Sequence, residues 1–272
     1  MTDREQQVRA QAAKADTVVV KVGSSTLTHK NGTLHLERIE KLVRALCELK
    51  NRGKRVVLVS SGAVAAGRTA IQYAGKPETV AEKQALAAIG QGRLMMLYER
   101  LFGEYGAVTA QILLTRDTVE QEESRENACA TFARLLDMGV VPVVNENDTV
   151  ATHEIKFGDN DRLSAITAKM IGADLLVLLS DVEGLFTDNP AKDPAARRIG
   201  FVPELTEEIL AMGSGESASS VGTGGMTSKL LAAQIACVSG IPMMIASGKE
   251  PEILYRILAG EEVGTLFAPV QA

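Results

Sequence analysis

Aromatic side chains are scarce in this sequence, at 4%, and tryptophan is absent. With a net charge of −5 and a pI of about 5.4, no basic stripe interleaved with aromatics can form, so nucleic-acid binding is not suggested. The three cysteines, Cys47, Cys129 and Cys237, are too widely spaced for a metal motif and read as reduced thiols. His29, His35 and His153 lack partners at ligand spacing, so neither a histidine metal site nor a catalytic histidine is expected. No apolar run approaches the roughly 18 residues of a membrane span. Residues 1–16 are polar and hold no signal-peptide core. The expectation is a cytoplasmic protein that does not engage membranes. No internal repeat is present.

What the chain does have is one recurring event: an apolar, β-branched run that stops at a polar cluster. Thr17-Val18-Val19-Val20 meets Lys21-Val22-Gly23-Ser24-Ser25, and Val56-Val57-Leu58-Val59 meets Ser60-Ser61-Gly62. Val140-Val141-Pro142-Val143-Val144 meets Asn145-Glu146-Asn147-Asp148, and Leu175-Leu176-Val177-Leu178-Leu179 meets Ser180-Asp181. Continuous apolar runs read as strands buried on both faces, hence a parallel sheet under helices. Ligands of such sheets bind beyond the carboxyl ends of the strands. All four clusters then share one edge, suited to a phosphorylated ligand.

The 272 residues, 46% hydrophobic, suffice for one large α/β domain or two close lobes. Strands are expected at 17–22, 55–59, 107–114, 140–144, 174–179, 242–246 and 264–267. Helices are expected at 36–51, 63–73, 78–102, 122–138, 160–171, 204–212, 226–238 and 250–258. Residues 1–15 read as a helical or disordered extension, and 152–157 as a short hairpin arm. Met95-Met96 and Met243-Met244 read as core filling.

Gly222-Thr223-Gly224-Gly225-Met226-Thr227-Ser228-Lys229 is the sharpest local signal. Glycines let backbone N–H groups curl around phosphate, and the helix start beyond adds its positive end. Lys229 lies one turn in. The stretch lacks Walker A spacing, and it also reads as a flexible linker with a surface lysine. Lys21 closes a buried strand, costly unless its charge is used, although it could snorkel to solvent. Ser61-Gly62 offers an anion-friendly helix start, while Ser60 reads as an ordinary cap. The Asn145–Asp148 cluster suits a zwitterionic amino acid, or simply a polar turn. Asp159-Asn160-Asp161 could cap a helix or orient the two lysines. An acidic protein that binds an anion must concentrate lysines locally, which singles out Lys21 and Lys229.

In this order the motifs, with Phe157-Gly158-Asp159-Asn160-Asp161-Arg162 and Gly264-Thr265-Leu266-Phe267, give a chain that resembles the amino acid kinase family over residues 17–267. Within the family the resemblance is to members acting on glutamate rather than acetylglutamate, carbamate, uridylate or aspartate. It implies a three-layer αβα sandwich with a central, mostly parallel open sheet. It implies a kinase domain at 16–272, behind the 1–15 extension, whose N-terminal part binds glutamate and whose C-terminal part binds ATP.

The implied reaction moves the γ-phosphoryl group of ATP to the side-chain carboxylate of L-glutamate, at the head of proline synthesis. Lys21 and Lys229 would hold the transferring group and Asp161 would organise them. Ser61, Asp148 and Asn160, with Asn145 and Asn147, would contact glutamate. Lys21, Gly23, Ser180, Asp181 and the run Thr223, Gly224, Gly225, Met226, Thr227, Ser228 and Lys229 would contact the nucleotide. Mg²⁺ would ride on the ATP phosphates without a dedicated protein cage. Feedback by proline is implied near Asp148 and residues 115–126, as is a homo-oligomer, dimer or tetramer. Many glutamate-specific members carry a C-terminal PUA domain, and this chain reads as the single-domain form. Ser60 and Ser180 stand where the family often has Thr, and Ser228 precedes the lysine, but each keeps a hydroxyl. Competing readings are a kinase of this fold acting on another carboxylate or carbamate, a nucleotide sensor without catalysis, and an RNA-associated protein, the last disfavoured by the acidic pI. Both lysines and Asp161 speak against the second.

Overall fold

The computed structural model describes residues 1–150, 160–190, 192–214 and 225–270. An eight-stranded sheet runs through the described residues. Its strands are β1 (Thr17–Val22), β2 (Arg55–Ser60), β3 (Thr109–Leu114), β4 (Val141–Glu146), β5 (Leu175–Ser180), β6 (Phe201–Val202), β7 (Met243–Ser247) and β8 (Thr265–Phe267). The helices are α1 (Asp3–Ala13), α2 (Ser24–Leu27), α3 (Leu36–Asn51), α4 (Ala63–Ala70), α5 (Val80–Glu104) and α6 (Arg116–Glu120). They continue with α7 (Glu122–Asp137), α8 (Asn160–Ile171), α9 (Glu207–Ala211), α10 (Met226–Val238) and α11 (Ile253–Leu258). The spatial order is β3-β4-β2-β1-β5-β7-β8-β6, parallel throughout except for the antiparallel pair β7–β8.

Strand parity explains the layers. Alternate side chains point to opposite faces. Val18, Val20 and Val22 of β1 join a core with Ile39, Leu42 and Leu46 of α3, Leu94 and Phe102 of α5, and Leu254 of α11. Val19 joins a second core with Phe132 of α7, Leu163 of α8 and Leu230 of α10. Lys21 shares the parity of Val19, so β1 directs it toward α8 and α10. Fully burying each Val or Leu contributes about 1.5–3 kcal/mol. The apolar residues of β1 and β5 are all at most 1% exposed. That burial outweighs the several kcal/mol a buried ammonium costs.

The chain leaves β1 toward β2 on one side, and β5 later pairs on the other. That reversal of winding opens a crevice at the carboxyl end of β1. Because β4, β2, β1 and β5 run parallel, their polar ends share one edge.

Several elements differ from expectation. Of the two readings of residues 1–15, helical or disordered, the structure takes the helical one over Asp3–Ala13, and docks it with Val8 and Ala12 in the core. Its buried Arg9 donates to the Glu5 carboxylate at 2.8 Å and to the Glu261 and Gly200 carbonyls at 3.0 and 3.2 Å. The third strand begins at Thr109, two residues late, and the short elements α2, α6 and β6 were not anticipated. The arm expected at 152–157 lies outside the described residues.

Candidate active site

Asp161 is the second residue of α8, Lys229 the fourth of α10 and Lys21 the fifth of β1. Helices α8 and α10 pack together and carry Ala165 and Ala168 on one, Ala232, Ala233 and Ala236 on the other. These small side chains let the two axes approach closely. Lys21 Nζ lies 2.5 Å from Asp161 Oδ1, and Lys229 Nζ lies 3.0 Å from Asp161 Oδ2. The carboxylate is fully buried and both lysines are nearly so. Burial alone would push the Asp161 carboxyl up, but the Lys21 and Lys229 charges outweigh it and hold the group below its ordinary value. Two ammoniums on one carboxylate leave a net positive charge in a region of low dielectric, which favours an anion there.

Beside this cluster lies an amide network. Asn160, first residue of α8, donates from Nδ2 to Asn145 Oδ1 at 2.8 Å, to Ser61 Oγ at 2.9 Å and to the Ser60 carbonyl at 3.2 Å. Asn145 Oδ1 also accepts from the Glu146 backbone at 2.9 Å, and Asn145 Nδ2 donates to Gln91 Oε1 at 2.8 Å. These bonds fix which way each amide faces. Asn147 and Asp148 line an adjoining cavity of about 280 Å³ with Gln91, Gln111, Glu146 and Thr149. Its volume suits a small amino acid.

On the other side, Gly23 follows β1 with φ −85°, which needs no glycine. A Cβ there would sit 3.3 Å from Lys21 Nζ, a tight approach to the ammonium. Ser180 ends β5, and its hydroxyl donates to Asp181 Oδ1 at 3.0 Å. Gly225 is the N-cap of α10 without a side-chain cap bond, and the Ser228 N–H turns back to its carbonyl at 3.2 Å. Met226, Thr227 and the buried Ser228 follow in that turn, and Thr227 Oγ1 donates to the Gly213 carbonyl. Thr223 and Gly224 lie outside the described residues, as do Gly158 and Asp159.

The cap expected at Ser60 is not made. The N-cap of α4 is Gly62, at φ 105° with no side-chain cap bond, and the Ser60 hydroxyl instead meets Tyr98. Sequence reasoning also passed over Gln91, Gln111 and Tyr98. Gln91 had a legible signal, being the polar member of the α5 stripe Ala87, Gln91, Leu94, Tyr98 at helical spacing.

A mostly parallel α/β sheet with two buried lysines on one carboxylate at a switch-point crevice defines an anion-binding α/β protein. The amino acid kinase family matches residues 16–247, and the chain belongs to that family. Its curated relatives include the glutamate 5-kinase of Clostridium perfringens, 49% identical over 254 residues, or 92% of this chain and 94% of the relative. The glutamate 5-kinase of Caldanaerobacter subterraneus subsp. tengcongensis is 48% identical over 254 residues, 93% of this chain but 68% of that longer relative. Among solved structures, UMP kinase from Bacillus anthracis superposes with a TM-score of 0.66 at 17% identity, covering 94% of this chain and 97% of that one. That likeness bears on the fold alone.

Proposed function

We propose that this protein is an ATP-dependent glutamate kinase that converts L-glutamate to L-glutamate 5-phosphate, the first step of proline biosynthesis. The observation that carries the reading is the buried Lys21–Asp161–Lys229 cluster beside a hydrogen-bonded amide site. A glutamate side chain, with pKa about 4.3, is already ionised at neutral pH and needs no general base. Its oxygen bonds to the γ-phosphorus as the bond to the β–γ bridging oxygen breaks, and that electron pair leaves with ADP. The barrier is electrostatic, an anion approaching a polyanion, so positioning and positive charge do the catalysis. Lys21 and Lys229 supply that charge and Asp161 holds them in place. Ser61, Asn160 and Asn145 hold the amino acid, with Asn147 near it and the Asp148 carboxylate suited to its ammonium. Gly23, Ser180, Asp181 and the α10 start, together with Thr223 and Gly224, belong to the nucleotide side.

Magnesium enters as part of the substrate, Mg·ATP. Among the described residues no three His, Cys, Asp or Glu side chains gather as a metal group. Asp161 is already shared by two lysines, and in this reading the ATP phosphates and water hold the ion. Proline would inhibit by competing near Asp148 and residues 115–126. A homo-oligomer is supported by exposed Met96 on α5 and by exposed Val108 and Leu113 on or beside the edge strand β3. A cytoplasmic location accords with the described residues, where no helix is long and apolar enough to cross a membrane.

The test is ADP release from Mg·ATP with L-glutamate, run against acetylglutamate, aspartate and carbamate, with hydroxylamine trapping of the acyl phosphate. Glutamate-dependent turnover with a trapped γ-hydroxamate is expected. Turnover with another acceptor and none with glutamate overturns the assignment.

A further inference from the structure

Tyr98 is a fully buried side chain of α5, with Leu94 and Phe102 in the same core. A phenylalanine would fill nearly the same space, so the hydroxyl is a polar atom that the core tolerates only if it is bonded. Its oxygen lies 2.7 Å from Ser60 Oγ. Ser60 has one hydroxyl hydrogen and spends it on the Ser61 carbonyl, at 2.9 Å. The Tyr98 hydroxyl is therefore the donor, and the bonds run in one direction, from Tyr98 to Ser60 to the Ser61 carbonyl. Burial drives the phenol well above its ordinary range, so it keeps its proton at any working pH.

The same two residues are held from the opposite side. Asn160 Nδ2 reaches the Ser60 carbonyl and Ser61 Oγ, and the Ser61 N–H donates to the Val22 carbonyl at 3.1 Å. A single turn thus carries restraints from α5, from α8 and from β1. No cap of α4 requires them, because Gly62 makes no side-chain cap bond.

We propose that Tyr98 is a positioning residue for the amino-acid substrate: acting through Ser60, its hydroxyl sets the Ser60–Ser61 turn so that Ser61 meets the acceptor. The proposal rests on the reading of Ser61 as a glutamate contact.

The test is steady-state kinetics of Tyr98→Phe, Ser60→Ala and the double variant, each against both substrates. Losing one neutral hydrogen bond in the chain should raise KM for L-glutamate about fivefold. KM for Mg·ATP and kcat should stay within about twofold, and the double variant should be no worse than the more impaired single variant, since both cut the same chain. Phe102→Leu, which loosens the same core without touching Ser60, should lower Tm and leave KM for glutamate in place. An unchanged KM in Tyr98→Phe, a rise shared equally by both substrates, or an equal rise in Phe102→Leu overturns the proposal. If Tyr98→Phe does not fold, Ser60→Ala alone decides by the same criteria. A wild-type protein with no glutamate-dependent turnover removes the functional reading as well, whereas an active wild type with an unaffected Tyr98→Phe removes only this one.

Discussion

Lys21 and Lys229 hold the same carboxylate from opposite ends, Lys21 on Asp161 Oδ1 at 2.5 Å and Lys229 on Oδ2 at 3.0 Å. One lysine comes from the first strand and the other from the next-to-last helix, so the site exists only when β1, α8 and α10 are packed together. In the proposed reaction the Lys229 charge matters most where negative charge builds on the transferring group. Lys229→Ala should therefore lower kcat by about 10²–10³ while KM for glutamate changes by less than about threefold. Initial rates of ADP release over a glutamate series measure both. Near-normal turnover would contradict the role.

Asp161 links the site to stability. Asp161→Asn removes the negative partner of two buried ammoniums and should cost about 3–5 kcal/mol at pH 7, by urea unfolding. The folded-state pKa of Asp161 is lowered from 3.8, so its stabilising contribution is complete above that ordinary value. It is lost as pH falls through the lower folded value. The stability gap between wild type and Asp161→Asn should therefore narrow on acidification below about pH 4. A gap that stays constant down to pH 2 would show that the carboxylate is not the stabilising group.

Much of this arrangement could be read in the sequence, for a physical reason. Strands β1, β2 and β5 are buried on both faces, so their apolar runs are continuous and end sharply. Lys21, at the end of such a run, stood out because burial makes a lysine expensive. The convergence of Lys21 with Lys229 could only be suspected, since it depends on how α8 and α10 lie over the sheet. Strand β6 has two residues and too little pattern to register, and α2 was hidden because Ser24-Ser25 also suits a turn. Tyr98 escaped notice because the aliphatic periodicity of this helix reads as a stripe through Leu86, Ile89, Leu94, Leu97 and Leu101, whereas the structure buries Leu86, Leu94, Tyr98 and Phe102 and exposes Ile89.

The amide network predicts a graded response. Asn160 stands at the junction of bonds to Asn145, Ser61 and the Ser60 carbonyl, whereas Gln91 holds only the far end of Asn145. Asn160→Ala should raise KM for glutamate by at least about tenfold, and Gln91→Ala by about three- to fivefold. KM for Mg·ATP should hardly move in either. Isothermal titration of glutamate, and kinetics where binding is too weak, would check the order. A larger effect from Gln91→Ala would mean that Gln91 contacts the amino acid directly.

Gly67 and Gly90 let α4 and α5 approach at backbone distance. A Cβ on Gly90 would overlap the Ala63 carbonyl oxygen and the Gly67 nitrogen, and one on Gly67 would overlap the Leu86 carbonyl oxygen. In an open helix, Gly→Ala gains up to about 1 kcal/mol from propensity. Here the added methyl meets rigid backbone, and overpacking of that kind costs about 1–3 kcal/mol or more. The clash wins, and Gly90→Ala should lose net stability in denaturant unfolding. Relief requires α4 to move off α5, and α4 starts at the Ser61–Gly62 turn while α5 carries Gln91 and Tyr98. The folded fraction of Gly90→Ala should therefore also show a raised KM for glutamate, with KM for Mg·ATP less affected because Lys229 and Gly225 stand on α10, on the other side of the sheet. A Gly90→Ala protein as stable as wild type, with unchanged KM for glutamate, would mean that the two helices separate without disturbing the turn.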